Sequence, residues 1–362
     1  MNCMKKILLF TDVLCSGGAQ RQLVTLACLL KDKGYNVLIL DYWDNTFYDG
    51  YLETHDIPFK HVLTKGKINI LKMFIHEANV FSPDIVISYM EHPSVVACVG
   101  KYFVKKKYKL IVSERNTTQI NDFVTWIRMN LFRFANYVVP NSFSQTEFIK
   151  KYYPFLSSKT RTINNVLDTN KFFPLFKDKN KTDGIVNIVV VARVVEQKNV
   201  FNFIQAVSKA YNVSQDFKVD WYGDPYPQSY FDECKALLNK YNLNSVFKFY
   251  PATKDIVSVY QNADAFILPS IYEGFPNVLC EAMACGLPVI ASNVCDNPII
   301  LSDTSCGMLC NPNDVDDIAS CIIKMIRLGF DGRVAMGKAA RNCVENKFSI
   351  ERFITKYIDL LN

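Results

Sequence analysis

At 362 residues the chain exceeds one ordinary domain, and two domains of roughly 170–180 residues each are its natural division. Apolar residues make up 49% and charged residues 21%, the composition of a globular protein with ample core rather than a disordered or fibrous chain. The net charge of +6 is uneven: residues 1–175 hold 22 Lys+Arg against 14 Asp+Glu, whereas residues 176–362 hold 19 against 21.

A basic first half suggests that one domain faces an anionic surface or substrate. No apolar run approaches the length of about 18 residues that would span a bilayer. Lys5-Lys6-Ile7-Leu8-Leu9-Phe10 has the look of a signal peptide, but Thr11-Asp12 breaks it at once. It reads as a first buried strand, and the chain is expected to stay in the cytoplasm. The twelve cysteines are scattered, often within apolar runs, and contain no Cys-x-x-Cys, so reduced thiols are expected. The four histidines form no zinc motif, and neither a metal nor a nucleic-acid partner is expected.

The chain opens with a strand at Ile7–Thr11. Gly17-Gly18 then leads into an amphipathic helix, Ala19–Lys33, which ends at Gly34 and is followed by a strand at Asn36–Asp41. Two glycines before a helix are either a plain tight turn or a loop that lets an anion approach the backbone. A strand at Asp84–Ser88 precedes a helix starting near His92-Pro93. Short strands at Leu110–Ser113 and Tyr137–Pro140 and a helix over Ser144–Tyr152 complete the half. Repeated β-then-α order implies parallel strands in a doubly wound sheet.

Two features of this half carry further weight. Ser113-Glu114-Arg115-Asn116 follows a strand, and its Glu114 and Arg115 are either ligand contacts or a surface ion pair. Lys105, Lys106, Lys107 and Lys109 cluster positive charge, and Phe123, Trp126, Ile127, Leu131 and Phe132 recur at helical spacing with Arg128 and Arg133. That stripe is either core or a face that docks on anionic lipid.

Between Pro174 and Gly184 the chain turns polar, as a linker does. A second α/β series follows: strand Val186–Ala192, helix Asn199–Tyr211, strand Val219–Gly223, helix Ser229–Tyr241 and strand Phe247–Tyr250. Arg193 and Lys198 follow the first of these strands, a fork and a point charge suited to a diphosphate. The apolar run Ala263–Leu268 then leads through Pro269-Ser270 to Glu273-Gly274-Phe275-Pro276-Asn277-Val278, a helix containing Glu281, and a strand at Val289–Ala291. This βαβ unit puts one carboxylate in a loop and another two turns along a helix whose start, near Pro276-Asn277, favours phosphate. Each carboxylate is a good acceptor for paired sugar hydroxyls.

Two look-alikes fail. Gly332–Lys338 has P-loop spacing, yet Ala339 stands where a Ser or Thr should hold magnesium, and the segment reads as helix. Asp314-Val315-Asp316 imitates a metal-binding Asp-x-Asp, but its surroundings fit a helix start with an acidic first turn. The terminal amphipathic segment runs from Phe348 to Leu361.

The segment from Asp264 to Ser292 resembles the Glu-x7-Glu signature of retaining nucleotide-sugar glycosyltransferases of group 1 (family 4), bacterial surface-polysaccharide type. The resemblance extends over nearly the whole chain. It implies the GT-B fold, two Rossmann-like doubly wound domains facing a central cleft, with residues 1–175 on the acceptor side and 176–347 binding the nucleotide sugar. Residues 348–362 would cross back to the first domain, and closure at a hinge near 174–184 would assemble the site. The implied activity is hexosyl or acetamidohexosyl transfer from a nucleotide diphosphate sugar to a glycan, lipid-linked acceptor, without a cofactor, at the inner face of the membrane.

By resemblance, Glu273 grips the sugar and Glu281 the ribose. Arg193 and Lys198 meet the diphosphate, together with Gly17, Gly18 and the turn Gly274, Phe275, Pro276, Asn277 and Val278. His92 lies near the sugar, and Glu114 and Arg115 line the acceptor side. Two other readings stay open: a nucleotide-sugar hydrolase or epimerase, and a non-catalytic nucleotide-sugar-binding protein.

Overall fold

The computed structural model describes residues 4–115, 119–175, 184–303 and 305–362. The chain divides into two compact units, one of residues 1–166 with 350–362 and the other of residues 167–349. The polar run from Lys177 to Asp183, read above as linker and hinge, lies outside the described residues, as does Asn116.

The first unit holds a six-stranded parallel sheet: β1 (Lys6–Phe10), β2 (Asn36–Asp41), β3 (Phe59–His61), β4 (Ile85–Tyr89), β5 (Lys109–Glu114) and β6 (Tyr137–Pro140), in the order β3-β2-β1-β4-β5-β6. Apolar residues alternate between two buried faces, as period-2 geometry requires when helices cover both sides. Ile7, Leu9, Ile39, Ile85, Ile87 and Ile111 pack with α1 (Gly18–Asp32) on one face. Leu8, Phe10, Leu40, Val86, Leu110 and Val112 form the other core, which Phe74 of α3 (Lys67–Phe81) and Ala97 of α4 (Glu91–Gly100) complete. The helix α2 (Asp49–Thr54), the strand β3 and α3 carry weak periodic signals and are not legible in the sequence. Two further helices, α5 (Phe123–Leu131) and α6 (Phe143–Tyr152), flank β6 in the chain.

The second unit repeats the plan with β7 (Val186–Val191), β8 (Phe217–Tyr222), β9 (Phe247–Tyr250), β10 (Ala265–Leu268), β11 (Val289–Ser292) and β12 (Gly307–Cys310), ordered β12-β11-β10-β7-β8-β9. One face packs on α7 (Val200–Tyr211), α8 (Gln228–Lys240) and α12 (Val315–Arg327), around a fully buried Trp221. The other packs on α9 (Ile256–Asn262), α10 (Asn277–Ala284) and α13 (Gly329–Phe348); the short α11 (Asn297–Ile300) lies between β11 and β12. Asp314 caps α12 by accepting from the backbone N–H groups of Asp316 and Asp317, which accounts for the false Asp-x-Asp. The false P-loop lies inside α13, where Gly337 lets the helix touch the chain after α10: a Cβ there would strike the Gly286 carbonyl oxygen.

Both expected domain limits move. Leu167 and Phe172 belong to the second unit's core, and the Leu167 N–H donates to the Phe348 carbonyl at 3.2 Å, so the division falls at 166/167 rather than 175/176. Phe348 closes α13, extended Ser349 breaks the helix, and α14 begins at Ile350 instead of Phe348. Phe353, Ile354, Tyr357, Leu360 and Leu361 of α14 (Ile350–Leu361) are buried in the core of the first unit.

Candidate active site

In the second unit the chain leaves β7 towards β8 on one side and returns through β10 on the other. Loops that diverge in this way open a crevice beyond the carboxyl ends of the strands, the usual ligand position in a doubly wound sheet. The loop after β7 carries Arg193 and Lys198. The loop after β10 carries Glu273 to Pro276. The switch point therefore sets the two sequence-predicted groups side by side.

The loop after β7 is held rigidly. Val194 N–H donates to the Asp224 carbonyl at 3.0 Å, and Ala192 O accepts from the Trp221 indole at 2.7 Å. Gly223 permits this approach, since a Cβ there would collide with Ala192 O. A short turn over Glu196–Lys198 ends at Asn199, which has φ +61 and is buried. Asn tolerates that left-handed conformation better than most residues, and its side chain donates to the carbonyls of Pro269 (3.0 Å) and Pro312 (2.7 Å). The Ile271 N–H donates to Gln197 O at 2.9 Å, and the Gln197 side chain donates to Tyr272 O at 2.9 Å. Neither Asn199 nor Gln197 emerges from the sequence as a site residue. An Asn directly before a helix, two residues after a Gln, is too common a pattern to mark them.

Lys198 Nζ lies 2.5 Å from Glu273 Oε1, and both side chains are largely shielded from water. A fixed carboxylate orients the ammonium, whose remaining protons are available to an anionic ligand. Glu273 is held from behind as well, its N–H meeting the sulfur of Cys295 at 3.4 Å. Burial raises the Cys295 thiol above its ordinary range, so this sulfur is a thiol acceptor and not a thiolate. Arg193 is exposed on the same loop.

The turn after Glu273 divides its labour. Phe275 is turned into the core, with its ring 5.1 Å from that of Phe348. Its expected donor contact is therefore limited to backbone. Pro276 precedes α10 and offers it no side-chain cap; the Asn277 N–H donates to Phe275 O at 3.0 Å and the Leu279 N–H to Pro276 O at 3.1 Å, while the positive end of the helix dipole still favours an anion there. Glu281, one helical face further on, is buried, and the Tyr260 hydroxyl donates to its Oε2 at 3.4 Å.

The first unit has its own switch point, between β1 and β4. Gly17 and Gly18 follow β1 and His92 follows β4, so these three are neighbours in topology although Gly18 and His92 are 74 positions apart in sequence. Gly17 stands at the start of α1 without a side-chain cap, and a Cβ on it would collide with Gln20 Oε1. His92 Nδ1 lies 2.7 Å from the hydroxyl of Tyr42, a residue the sequence does not single out. Burial first, then Lys67, hold the His92 pKa below its ordinary value, so the ring is neutral near pH 7. In the tautomer where the Tyr42 hydroxyl donates into Nδ1, the His92 proton sits on Nε2. Tyr42→Phe removes a bond to the neutral form, so the His92 pKa is expected to rise; NMR titration of the ring nitrogens measures it, and an unchanged pKa would contradict the assignment.

Glu114 and Arg115 are not a surface ion pair: both are buried, and they serve different partners. Arg115 donates to Ser113 Oγ (2.8 Å), Asn165 Oδ1 (2.8 Å), Tyr89 Oη (2.8 Å) and Tyr357 Oη (2.6 Å), tying β4 and β5 to α14. Glu114 approaches Arg128 Nε at 3.8 Å, while Arg128 makes its close pair with Glu91 at 2.5 Å. Burial, only partly offset by Arg128, pushes the Glu114 pKa up to about 7. Among the described residues no group of three or more His, Cys, Asp or Glu is placed to hold a metal. Nor is any helix among them long and apolar enough to cross a membrane.

Residues 172–343 match the model of a family described as "Glycosyl transferases group 1". In this segment the chain is similar to the group 1 glycosyl transferases. Among its relatives is the UDP-Gal:alpha-D-GlcNAc-diphosphoundecaprenol alpha-1,3-galactosyltransferase of Escherichia coli, 27% identical over 213 residues, 56% of this chain and 54% of the relative. Another is the capsular polysaccharide biosynthesis glycosyltransferase CapM of Staphylococcus aureus, 34% identical over 187 residues, 51% of this chain and 47% of CapM. The chain thus spans about half the length of these curated relatives. The crystal structure of Anabaena HepE in complex with UDP and glucose superposes with a TM-score of 0.86 at 19% identity, covering 99% of both chains. At that identity the likeness establishes the fold, and the fold is GT-B.

Proposed function

We propose that this protein is a group 1 retaining glycosyltransferase that moves a hexosyl or acetamidohexosyl group from a nucleotide diphosphate sugar to a glycan acceptor of surface-polysaccharide synthesis. The observation that carries this reading is the Lys198–Glu273 pair, set at the second unit's switch point beside the uncapped start of α10. In the reaction the bond between sugar C1 and the diphosphate oxygen breaks, and the diphosphate leaves with the electron pair. The acceptor oxygen bonds to C1 on the same face, and its proton passes to the departing diphosphate. Arg193, Lys198 and the positive dipole end of α10 would meet the charge that develops on the diphosphate, so no resident metal or cofactor is invoked. Glu273 would hold sugar hydroxyls and Glu281 the ribose; within the first unit, Gly17, Gly18 and His92 are candidate ligand contacts at that unit's own switch point. By their names, the galactosyltransferase relative acts on a diphosphoundecaprenol-linked GlcNAc and CapM serves capsular polysaccharide biosynthesis, which supports a lipid-linked glycan acceptor.

Incubation with a panel of UDP-, GDP- and ADP-sugars, with and without lipid-linked acceptors, tests the proposal. Transfer with unchanged anomeric configuration is expected. Release of free sugar in the absence of acceptor would make the protein a hydrolase, and tight donor binding without turnover would make it a sensor.

A division of labour between the glutamates follows. Glu281→Gln should weaken nucleoside diphosphate binding more than Glu273→Gln, whereas Glu273→Gln should mainly impair reaction of the sugar. Calorimetry with the nucleoside diphosphate alone separates them, and equal loss in both variants would refute the assignment.

A further inference from the structure

The helix α5 is built inside out. Its buried positions are Thr125, Arg128 and Met129, while Phe123 and Val124 are 73% and 70% exposed and Trp126 and Ile127 are 52% and 42% exposed. Ile120, just before it, is 54% exposed. An ordinary surface helix turns its apolar side inward. This one cannot rotate to do so, because its inner side is fixed. The Asp122 carboxylate caps it by accepting from Thr125 N–H at 2.8 Å, Arg128 is paired with Glu91, and Met129 lies in the sheet core. Only the end of the sequence stripe is core: Phe132 is fully buried. Just beyond it, exposed Phe134 meets exposed Tyr102, with ring centroids 5.1 Å apart.

The surroundings are basic. Residues 101–160 contain eleven Lys and Arg against three Asp and Glu, which is the whole positive excess of the first half of the chain. Arg115 and Arg128 are spent internally and Lys106 pairs with Asp84, but Lys101, Lys107, Arg133 and Lys159 gather around the Phe134 end. Lys101 and Lys159 donate to backbone carbonyls there, and Lys107 donates to the Lys101 carbonyl.

We propose that the outer face of α5, from Ile120 to Ile127, is a membrane-docking surface that inserts its aromatic and aliphatic side chains at the interface of an anionic bilayer. Trp, Phe and Ile on one helix face, with cations gathered just beyond the end of the helix, are what such an interface accepts. A second copy of this chain fits worse, because a two-fold contact through the face would set basic residues against basic residues. The inference deepens the lipid-linked acceptor reading, since a docked first unit meets an acceptor confined to the membrane.

Sedimentation with phosphatidylglycerol vesicles and with phosphatidylcholine vesicles tests it, with Trp126 fluorescence followed in parallel. Binding to the anionic vesicles that weakens with salt is expected, together with a blue shift that is lost in Trp126→Ser. Phe123→Ser with Trp126→Ser should lower the partition by about tenfold or more, and both positions are exposed, so the fold should survive. A short-chain, water-soluble acceptor should be used equally well by that double variant. Absence of binding to either vesicle, or a concentration-dependent dimer that the double variant abolishes, would overturn the proposal. Vesicle binding by a protein that shows no transfer would leave the docking surface standing and remove the transferase reading instead.

Discussion

Turnover of the sugar donor is expected to fall by roughly 30- to 1,000-fold in Arg193→Ala and in Lys198→Ala, corresponding to about 2–4 kcal/mol of lost transition-state stabilisation. Under the proposed role, each substitution would delete one charge-assisted contact to the departing diphosphate. The two variants should differ in stability. Arg193 is exposed, so its loss should leave the melting temperature unchanged. Lys198 is paired with the shielded Glu273 at 2.5 Å, and its loss strands a carboxylate in the unit. The paired change Lys198→Met with Glu273→Gln removes both charges, and it should recover stability without recovering activity. Wild-type turnover in either single variant would remove the diphosphate role.

The second large effect is on the fold. Arg115→Ala is expected to destabilise the first unit by about 3 kcal/mol, because four hydrogen bonds from a buried cation are lost together. For a unit of this size that is a drop of about 6–12 °C in melting temperature. The guanidinium also stacks over the Tyr89 ring at 4.3 Å, a contact that a planar fork makes and a lysine does not. Arg115→Lys should therefore recover little. The effect should appear as loosening of α14, which hydrogen exchange reads directly at Tyr357 and its neighbours. A wild-type melting curve for Arg115→Ala would show that the network adds no net stability.

Much of this architecture is written locally. The alternation of apolar strands and amphipathic helices, punctuated at Gly17-Gly18, Gly34 and Gly286-Leu287-Pro288, declares two doubly wound units. Glu273, Glu281, Arg193 and Lys198 stand in contexts that mark them before any coordinates exist. These signals lie in windows of about ten residues, because strand and helix periods and caps are properties of neighbours in the chain. The strand β3, three residues long, carries too few periods to be read this way.

What the sequence does not contain is who meets whom. The pairing of Lys198 with Glu273 joins residues 75 apart, and that of Arg115 with Tyr357 joins residues 242 apart. Both depend on strand order, which is set by how two helix layers pack on each sheet. The stripe from Phe123 to Phe132 shows the same limit. Its spacing is equally compatible with core and with surface, and only the anchoring of Arg128 and Met129 against the first unit decides that Phe123 and Trp126 face outward while Phe132 does not. Periodicity says which residues share a face; packing against distant segments decides which face is buried, because burial is a property of the assembled unit and not of the helix.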